Sequence, residues 1–366
     1  MTTRTRTTQS TTPPGRTRAE VPTPALLLDL AAARRNIEAM AAAAAGIGAG
    51  VRPHVKAHKC APLAQLQQEA GAVGLTCATV SELAAMAAAG APDLFLANQV
   101  VDPTELDRLA ALAGDRLVTV AVDDDEHVAR LARAAGRAGV VLGVVVEIDV
   151  GMGRAGVRSA ASAVRLAGAV TQRPELELRG VHGYEGHCVV IDDAQVRDES
   201  VRRANAELVE AAEAVRAAVG ACRIVTAGGT ATFPITAAHP EITDVQVGSY
   251  VLMDSFHERL LPGVFEPALA VAGTVVSRHG STLVLDVGRK SIAAELGAPT
   301  FTGALAVLSA RFDEEHCVLE VGGAPPAIGE RVEISPAYAP TTVALHDVFH
   351  VVEDGVVVDV WPIAPR

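Results

Sequence analysis

Two lysines and two histidines lie in the short segment from Arg52 to Lys59, whose sequence is Arg-Pro-His-Val-Lys-Ala-His-Lys. A lysine amine placed after a strand can attack an aldehyde and form a Schiff base, provided that burial or neighbouring cations lower its pKa. Lys56 is the candidate, and Arg52, His54 and Lys59 could supply the cations. A solvated basic loop would contain the same residues, so the position of Lys56 directly after the predicted strand at 51–55 is what favours chemistry.

A second candidate site is a glycine-rich segment at 226–232 that contains Gly228, Gly229 and Thr230. Adjacent glycines let backbone N–H groups approach an anion, and threonine hydroxyls add further donors. Another small-residue turn, Gly248-Ser249-Tyr250, comes shortly afterwards. Phosphate sites of barrel enzymes often use the loops after strands seven and eight. The pair of turns therefore predicts a phosphate site more strongly than either turn alone.

The elements that must position these segments alternate regularly along the chain. Eight β-rich apolar runs are separated by Ala-rich stretches of helical spacing, which predicts an α/β fold with a parallel (β/α)8 barrel of the TIM type. A doubly wound parallel sheet fits the same alternation and remains the alternative. The predicted strands are 51–55, 74–79, 94–98, 117–122, 141–149, 178–184, 223–227 and 245–251, and the predicted helices include 81–90, 124–136, 159–171 and 193–220.

Local signals bound these helices, and polar residues follow the strands. Short polar side chains favour helix N-caps and glycines favour C-terminal ends. The predicted N-caps are Ser81, Asp124 and Ser159, and the predicted ends are Gly90, Gly136 and Gly220. Because barrel active sites lie at the carboxyl ends of the strands, the residues there are candidates for the site. They are His54, Lys56, His58, Asn98, Gln99, Asp149, Gly151, Arg154, Tyr184, Glu185, His187 and the segment Thr226–Thr232.

The pattern changes near residue 262. Alternating apolar runs separated by Gly and Pro turns follow, which predicts an antiparallel β-domain. The expected organisation is a disordered tail over residues 1–20, a barrel over 21–262 and a β-domain over 263–366, with 21–29 as a possible part of the β-domain. The predicted strands of this domain are 270–276, 282–287, 304–308, 317–321, 331–334 and 356–360.

Composition limits the classes of partner. The net charge of −12 argues against nucleic acid, which binds basic surfaces, and no apolar run reaches the length of a membrane-spanning helix. The five cysteines are scattered, as expected for a protein of the reducing cytoplasm. A small molecule is therefore the expected ligand.

Several ordered motifs together resemble the family of D-threonine aldolases and eukaryotic-type D-serine dehydratases. These are alanine-racemase-like, fold type III enzymes that depend on pyridoxal 5'-phosphate (PLP). The resemblance extends from about Thr23 to the C-terminus. The motifs are Arg52–Lys59, Asp149–Gly156, Gly180–His187, Thr226–Thr232, Gln246–Tyr250, Leu345–Asp347 and Val358–Pro362.

The resemblance implies a role for each matched residue. Lys56, rather than Lys59, would carry PLP and shuttle a proton at the substrate Cα. Arg154 would lie near the cofactor ring and its phenolic oxygen, and Tyr184 would contact the pyridine ring. The residues implied for the phosphate are Gly228, Gly229, Thr230, Ser249 and Tyr250, and those loosely implied for a small amino-acid substrate are His54, Gln99 and His187. A homodimer is also implied.

One motif departs from the family. Members typically have Pro-Asn-His-x-Cys or Pro-Asn-His-x-Asp in the β-domain, where the histidine and the last residue bind a divalent metal. Here Tyr338 replaces the histidine and Pro340 replaces the cysteine or aspartate. Proline has no side-chain donor atom and neutral tyrosine is a poor ligand, so the metal site is expected to be absent unless His316 or His346 rebuilds it.

These observations leave four hypotheses for the function. The leading one is a PLP-dependent lyase, of the aldolase or dehydratase type, that acts on a D-configured β-hydroxy amino acid without the usual metal. The second is an amino-acid racemase or epimerase in which Lys56 and Tyr338 work on opposite faces of Cα. The third is a different PLP reaction in specialised metabolism. The fourth is a PLP carrier protein without turnover, against which the large β-domain counts because it would help to enclose a substrate.

Overall fold

A computed structural model describes residues 14–303 and 305–365. The chain separates into two compact units. The barrel unit comprises Met40–Lys56 and Leu63–Gly248. The β-unit comprises the described chain up to Ala39 together with Ala57–Pro62 and Ser249–Pro365. None of the helices in the described ranges is both long and apolar enough to cross a membrane.

The secondary structure alternates through the barrel unit and becomes mostly β afterwards. The strands are β1 Ala25–Asp29, β2 Gly50–Val51, β3 Leu75–Cys77, β4 Asp93–Leu96, β5 Leu117–Val122, β6 Leu142–Ile148, β7 Leu176–Gly183, β8 Ile224–Ala227, β9 Asp244–Val245, β10 Leu269–His279, β11 Thr282–Leu285, β12 Thr300–Phe301, β13 Ala306–Phe312, β14 Cys317–Gly322, β15 Arg331–Ser335, β16 Val348–Glu353 and β17 Val356–Pro362. The helices are α1 Leu30–Ile47, α2 Ala61–Glu69, α3 Val80–Ala88, α4 Pro103–Leu112, α5 Asp125–Ala138, α6 Ala160–Thr171, α7 Ala194–Val219, α8 Phe233–Thr236, α9 Ser255–Leu260 and α10 Ala339–Val343.

The barrel unit contains an eight-stranded sheet in the order β2-β9-β8-β7-β6-β5-β4-β3. Every ladder in it is parallel. A further parallel bridge between His54 and Thr76 joins the chain after β2 to β3, which brings the two ends of this order together. All seven residues of β6 are buried, as expected where helices cover a parallel sheet. The predicted α/β class and TIM-type barrel are confirmed.

Two of the predicted barrel strands end early in a turn of 3-10 helix. The strand at 51–55 ends at Val51, because Val55–Ala57 forms a turn of 3-10 helix. The strand at 245–251 likewise ends at Val245, and Ser249–Val251 forms another 3-10 turn. Both turns therefore replace the end of a strand with a tight bend that carries candidate site residues.

The helix caps follow the predictions at some ends and not at others. Asp124 and Ser159 cap α5 and α6 as predicted, and Gly220 ends α7 in a left-handed conformation with φ of 70°. Thr79, not Ser81, caps α3, because its backbone is extended and its hydroxyl accepts a hydrogen bond from Glu82 N. Helix α5 continues past Gly136 to Ala138, and Gly139 ends it with φ of 67°.

The β-unit contains a sheet in the order β13-β14-β11-β10-β1-β16-β17, with β15 beside β10 and β12 beside β15. Strand β1 pairs antiparallel with β10 and parallel with β16, so residues 25–29 lie in this sheet rather than in the barrel. Among the predicted strands, 304–308 begins at a residue outside the described ranges, and the observed strand is β13. Strand β16 was not predicted, because its four central residues are all buried and show no alternation.

The units divide after Gly248, earlier than the predicted boundary near 262. Backbone hydrogen bonds explain the difference. Ser255 N and Phe256 N donate to Pro336 O and Ala337 O, and Ala268 N donates to Leu252 O. The segment after Gly248 therefore packs with the β-unit before its strands begin.

The predicted disordered tail, residues 1–20, lies mostly outside the described residues, but 14–20 are ordered. Gly15 N donates to Val357 O, and Thr17 bridges to Val356. Arg18 forms an ion pair with Glu333 at 2.5 Å. These contacts attach residues 14–20 to the edge of the sheet, although their composition alone predicted a disordered tail.

Candidate active site

Lys56 lies on the turn that follows β2, in the barrel unit. Burial, followed by the nearby Arg154 cation, lowers the pKa of its amine to about 8, and the Glu82 carboxylate opposes the shift. An amine with this pKa is partly neutral near neutral pH, whereas an ordinary lysine is almost entirely protonated. The structure thus gives Lys56 the property that nucleophilic attack on an aldehyde requires.

The ring of Tyr184 lies beside two cations. Lys56 Nζ is 5.4 Å from the ring centroid, and Arg154 Cζ is 5.7 Å from it. Two glycines allow this position: a Cβ at Gly186 would lie 2.4 Å from Tyr184 Cε1, and one at Gly229 would lie 3.3 Å from Cε2. Lys56 and Arg154, from different loops, therefore both lie beside the ring of Tyr184. All three are predicted site residues.

Arg154 and Gln99 converge on a buried carboxylate that was not predicted as a site residue. Glu147, on β6, is 4% exposed. Gln99 Nε2 donates to Glu147 Oε2 at 2.6 Å, and Arg154 Nη2 lies 3.8 Å from Oε1. Burial raises the pKa of the Glu147 carboxyl, while Gln99 and Arg154 act in the opposite direction. The one signal in the sequence that could have indicated Glu147 as a site residue is a charged residue within an otherwise apolar strand.

A second polar group in the barrel unit surrounds His182, which faces the same side of the sheet as its ladder partner Glu147. Its Nδ1 lies 2.8 Å from Gln246 Nε2, which also donates to Thr226 Oγ1. Burial, together with the cations Arg154 and Lys56, lowers the pKa of His182 to about 3. The imidazole is therefore neutral at physiological pH, so it adds no charge near Lys56.

The glycine-rich loop after β8 is held by protein acceptors. Gly228 N donates to Glu185 Oε2 at 3.2 Å, and Gly229 N donates to Thr232 Oγ1 at 3.0 Å. Glu185 is fully buried and also accepts a hydrogen bond from Thr236. The glycines thus provide space rather than donors that face an anion. The predicted phosphate contact of this loop depends most on Thr230, which is buried at its tip.

The two predicted histidines of the barrel unit occupy different surroundings. His54 is buried, and its backbone N–H donates to Val247 O. His187 lies on the 3-10 turn after β7, where its Nε2 is 2.9 Å from the position of a Cβ on Gly151. Their part in substrate binding remains a prediction from the resemblance.

Comparisons with known proteins find relatives that cover nearly the whole chain. The family model described as alanine racemase, N-terminal domain, matches residues 28–255, and a serine dehydratase domain matches 268–352. The chain is 36% identical to a D-threonine aldolase of Arthrobacter sp over 359 residues, which cover 96% of this chain and 95% of the relative. It is 34% identical to a 3-hydroxy-D-aspartate aldolase of Paracoccus denitrificans over 364 residues, which cover 96% and 94%.

The crystal structure of D-threonine aldolase from Filomicrobium marinum superposes with a TM-score of 0.91 at 34% identity, covering 96% of this chain and 98% of that one. The chain belongs to the alanine-racemase-like family that contains the D-threonine aldolases.

The family resemblance also assigned phosphate contacts to Ser249 and Tyr250, which lie in the β-unit. Tyr250 is 1% exposed and packs against Phe265, with ring centroids 5.7 Å apart. Ser249 begins the 3-10 turn, and its carbonyl accepts hydrogen bonds from Leu252 N and Met253 N. The environment of Tyr250 is that of a core residue, and the phosphate role of both residues stays a prediction.

Tyr338, where family members have a metal-binding histidine, is at the N-cap of α10 in the β-unit. Its ring stacks on His257 with centroids 6.0 Å apart and meets Phe256 edge-on. His257 Nδ1 lies 2.7 Å from Asp254 Oδ1, and Asp254 Oδ2 accepts a hydrogen bond from Ala339 N. Burial, then the carboxylates of Asp254 and Glu295, raise the pKa of the Tyr338 phenol. The phenol is therefore held protonated, which suits an acid and opposes a base.

Of the two histidines named as possible replacement metal ligands, one contacts a backbone carbonyl and the other is exposed. His346 Nε2 lies 2.7 Å from Ser291 O, and His316 is exposed. Among residues 14–303 and 305–365, no three His, Cys, Asp or Glu side chains lie close enough to hold a metal ion.

Proposed function

We propose that this chain is a PLP-dependent lyase that cleaves a D-configured β-hydroxy amino acid between Cα and Cβ, giving glycine and an aldehyde. The observation that carries the proposal is the Lys56 amine, whose pKa of about 8 and position beside Tyr184 and Arg154 suit a lysine that holds an aldehyde cofactor. The D-threonine aldolase and the 3-hydroxy-D-aspartate aldolase are 36% and 34% identical to this chain, against 30% for a D-threo-3-hydroxyaspartate dehydratase, which favours cleavage over dehydration.

The residues of the barrel unit fit PLP in charge and shape. Lys56 would hold the cofactor through its amine, and the flat Tyr184 ring would lie against the pyridine. The Arg154 guanidinium would be placed near the phenolic oxygen, which is anionic. Thr230 would contact the phosphate at the loop where Gly228 and Gly229 remove side-chain bulk. Ser249 and Tyr250 are proposed as further phosphate contacts on the resemblance alone.

When bound, PLP supplies an electron sink for the pair left at Cα when a bond to that atom breaks. The protein must then manage the protons. Lys56 has a pKa close to working pH, so its amine can give a proton to Cα in cleavage or remove one in dehydration. Tyr184, packed against Gly186 and Gly229, would cover one side of the site.

We also propose that the reaction proceeds without the divalent metal of the family. Pro340 offers no donor atom, and the buried Tyr338 phenol has a raised pKa and stays protonated. The proton of the substrate β-hydroxyl must then pass to a group of the protein rather than to a metal-bound base. Tyr338 itself is a poor acceptor for that proton, since its phenol is already protonated.

The test is a substrate panel with the purified, PLP-loaded protein. D-threonine, 3-hydroxy-D-aspartate and D-serine are incubated beside their L-counterparts, and glycine, aldehyde, 2-oxo acid, ammonia and configuration are measured. Glycine with an aldehyde from a D-substrate supports the proposal. A 2-oxo acid with ammonia would show that the reaction is dehydration rather than aldol cleavage. A change of configuration alone would establish a racemase. A bound cofactor with no product at all would indicate that the protein is a PLP carrier.

A further inference from the structure

Glu147 is a carboxylate in the interior of the barrel unit with few polar neighbours. It lies on β6 between Val146 and Ile148, both of which are buried apolar residues. Removing a carboxylate from water is costly unless partners compensate for the lost hydration. Its partners, Gln99 and Arg154, follow two different strands and are themselves predicted site residues.

The two contacts of Glu147 differ in kind. Gln99 makes a short hydrogen bond of 2.6 Å to Oε2, which fixes the orientation of the carboxylate. Arg154 lies 3.8 Å from Oε1, which is an ion pair without a close hydrogen bond. The Arg154 side chain is 52% exposed, so it would have considerable rotamer freedom without this anchor.

Arg154 is also a cation that acts on Lys56. It lowers the pKa of the Lys56 amine, whereas Glu82 raises it. The third titratable neighbour, His182, is neutral. Glu147 is not among the charges that act directly on Lys56, so its influence would pass through the placement of Arg154.

We propose that Glu147 is a positioning residue: oriented by Gln99, it holds the Arg154 guanidinium beside the Tyr184 ring and thereby keeps a positive charge close to Lys56. The inference deepens the proposed function, because it concerns the lysine that would carry the cofactor. It also explains why a carboxylate occupies an apolar strand of the barrel. Gln99 and Arg154, which lie in two different loops, both contact this one buried carboxylate.

The direction of the effect separates positioning from simple electrostatics. If Glu147 only supplied a negative charge near Lys56, its removal would lower the pKa of the Lys56 amine. If Glu147 holds Arg154 in place, its removal releases the cation and the pKa of Lys56 rises. Glu147→Gln keeps the size and loses the charge, so the two ideas predict opposite shifts.

The experiment measures the Lys56 amine in protein free of cofactor. An amine-acylating reagent is applied across pH, and the rate of modification of Lys56 is followed by peptide mass spectrometry. Glu147→Gln and Arg154→Gln should each slow labelling at pH 7 by roughly tenfold, the change that one pKa unit produces. The double variant should be no slower than Arg154→Gln alone, since the two residues act as one group. Glu126→Gln, an exposed carboxylate on α5, is the matched control and should leave the profile unchanged.

Faster labelling of Glu147→Gln, an unchanged profile, or effects of the two variants that simply add would overturn the proposal. If Glu147→Gln does not fold, as judged by circular dichroism, Gln99→Ala replaces it. That variant should shift the profile in the same direction by a smaller amount, and no shift would count against positioning. The labelling experiment needs neither cofactor nor substrate. It therefore tests the role of Glu147 even if the protein converts none of the substrates in the panel.

Discussion

Lys56 Nζ lies 5.4 Å from the centre of the Tyr184 ring, although the two residues belong to loops at distant points of the chain. The second lysine of the motif, Lys59, belongs to the β-unit, where its carbonyl accepts a hydrogen bond from Ala364 N. The structure therefore distinguishes two lysines that are three positions apart in sequence.

Lys56→Ala should abolish the visible absorbance of the PLP-loaded protein, because the Lys56 amine is the group that lies beside the Tyr184 ring and would hold the cofactor there. Lys59→Ala should retain the absorbance and is the matched control. Reduction with borohydride followed by peptide mass spectrometry should find the cofactor mass on the peptide that contains Lys56. Full absorbance in Lys56→Ala would show that the cofactor lysine has been assigned wrongly.

Replacing Lys56 should also change how the stability of the cofactor-free protein depends on pH. Its pKa falls from the usual 10.5 to about 8 on folding, so the unfolded chain binds more protons between these values. Burial of the charged amine thus costs stability below about pH 8, and the cost shrinks as the pH rises toward 10.5.

Lys56→Met should therefore resist urea better than the unaltered protein at pH 7, and its advantage should diminish above pH 8. The measurement is the urea midpoint of both proteins between pH 7 and pH 10. An advantage that does not depend on pH would mean that packing of the methionine, rather than titration of Lys56, is responsible.

Gly186→Ala should displace the Tyr184 ring, since the new methyl group would lie 2.4 Å from Tyr184 Cε1. The expected result is roughly tenfold weaker PLP binding, about 1.4 kcal/mol. Fluorescence titration of the cofactor-free protein measures it. Gly114→Ala, at a surface glycine with no atom within 4 Å of the new Cβ, should bind PLP normally. Equal affinities of the two variants would show that the position of the Tyr184 ring does not matter for the cofactor.

Chelation should leave turnover unchanged. The reason is chemical: Pro340 has no donor, and burial, followed by the nearby carboxylates, raises the pKa of the Tyr338 phenol and keeps it protonated. Activity is measured before and after treatment with EDTA, and again after addition of Mn²⁺ or Zn²⁺. Loss on chelation with recovery on metal addition would refute the proposal and indicate a metal site built from other residues.

Much of the fold could be predicted because its signals are local. An alternation of apolar runs with helical stretches is enough to indicate a parallel α/β fold, although it does not distinguish a barrel from a doubly wound sheet. Asp124, Ser159 and Gly220 mark helix ends through their own backbone preferences. The division of the two compact units after Gly248 could not be predicted, because it depends on contacts such as that between Phe256 and Ala337, which are far apart in sequence.

The sequence by itself determined the family, the fold class and the candidate lysine, since each follows from residues that are close together in the chain. Only the tertiary structure revealed that Gln99 and Arg154 meet at Glu147, and that Lys56 and Arg154 flank Tyr184. The physical reason is that the proton affinity of a buried group depends on its surroundings. Those surroundings are assembled from the ends of several strands and are encoded in no single segment.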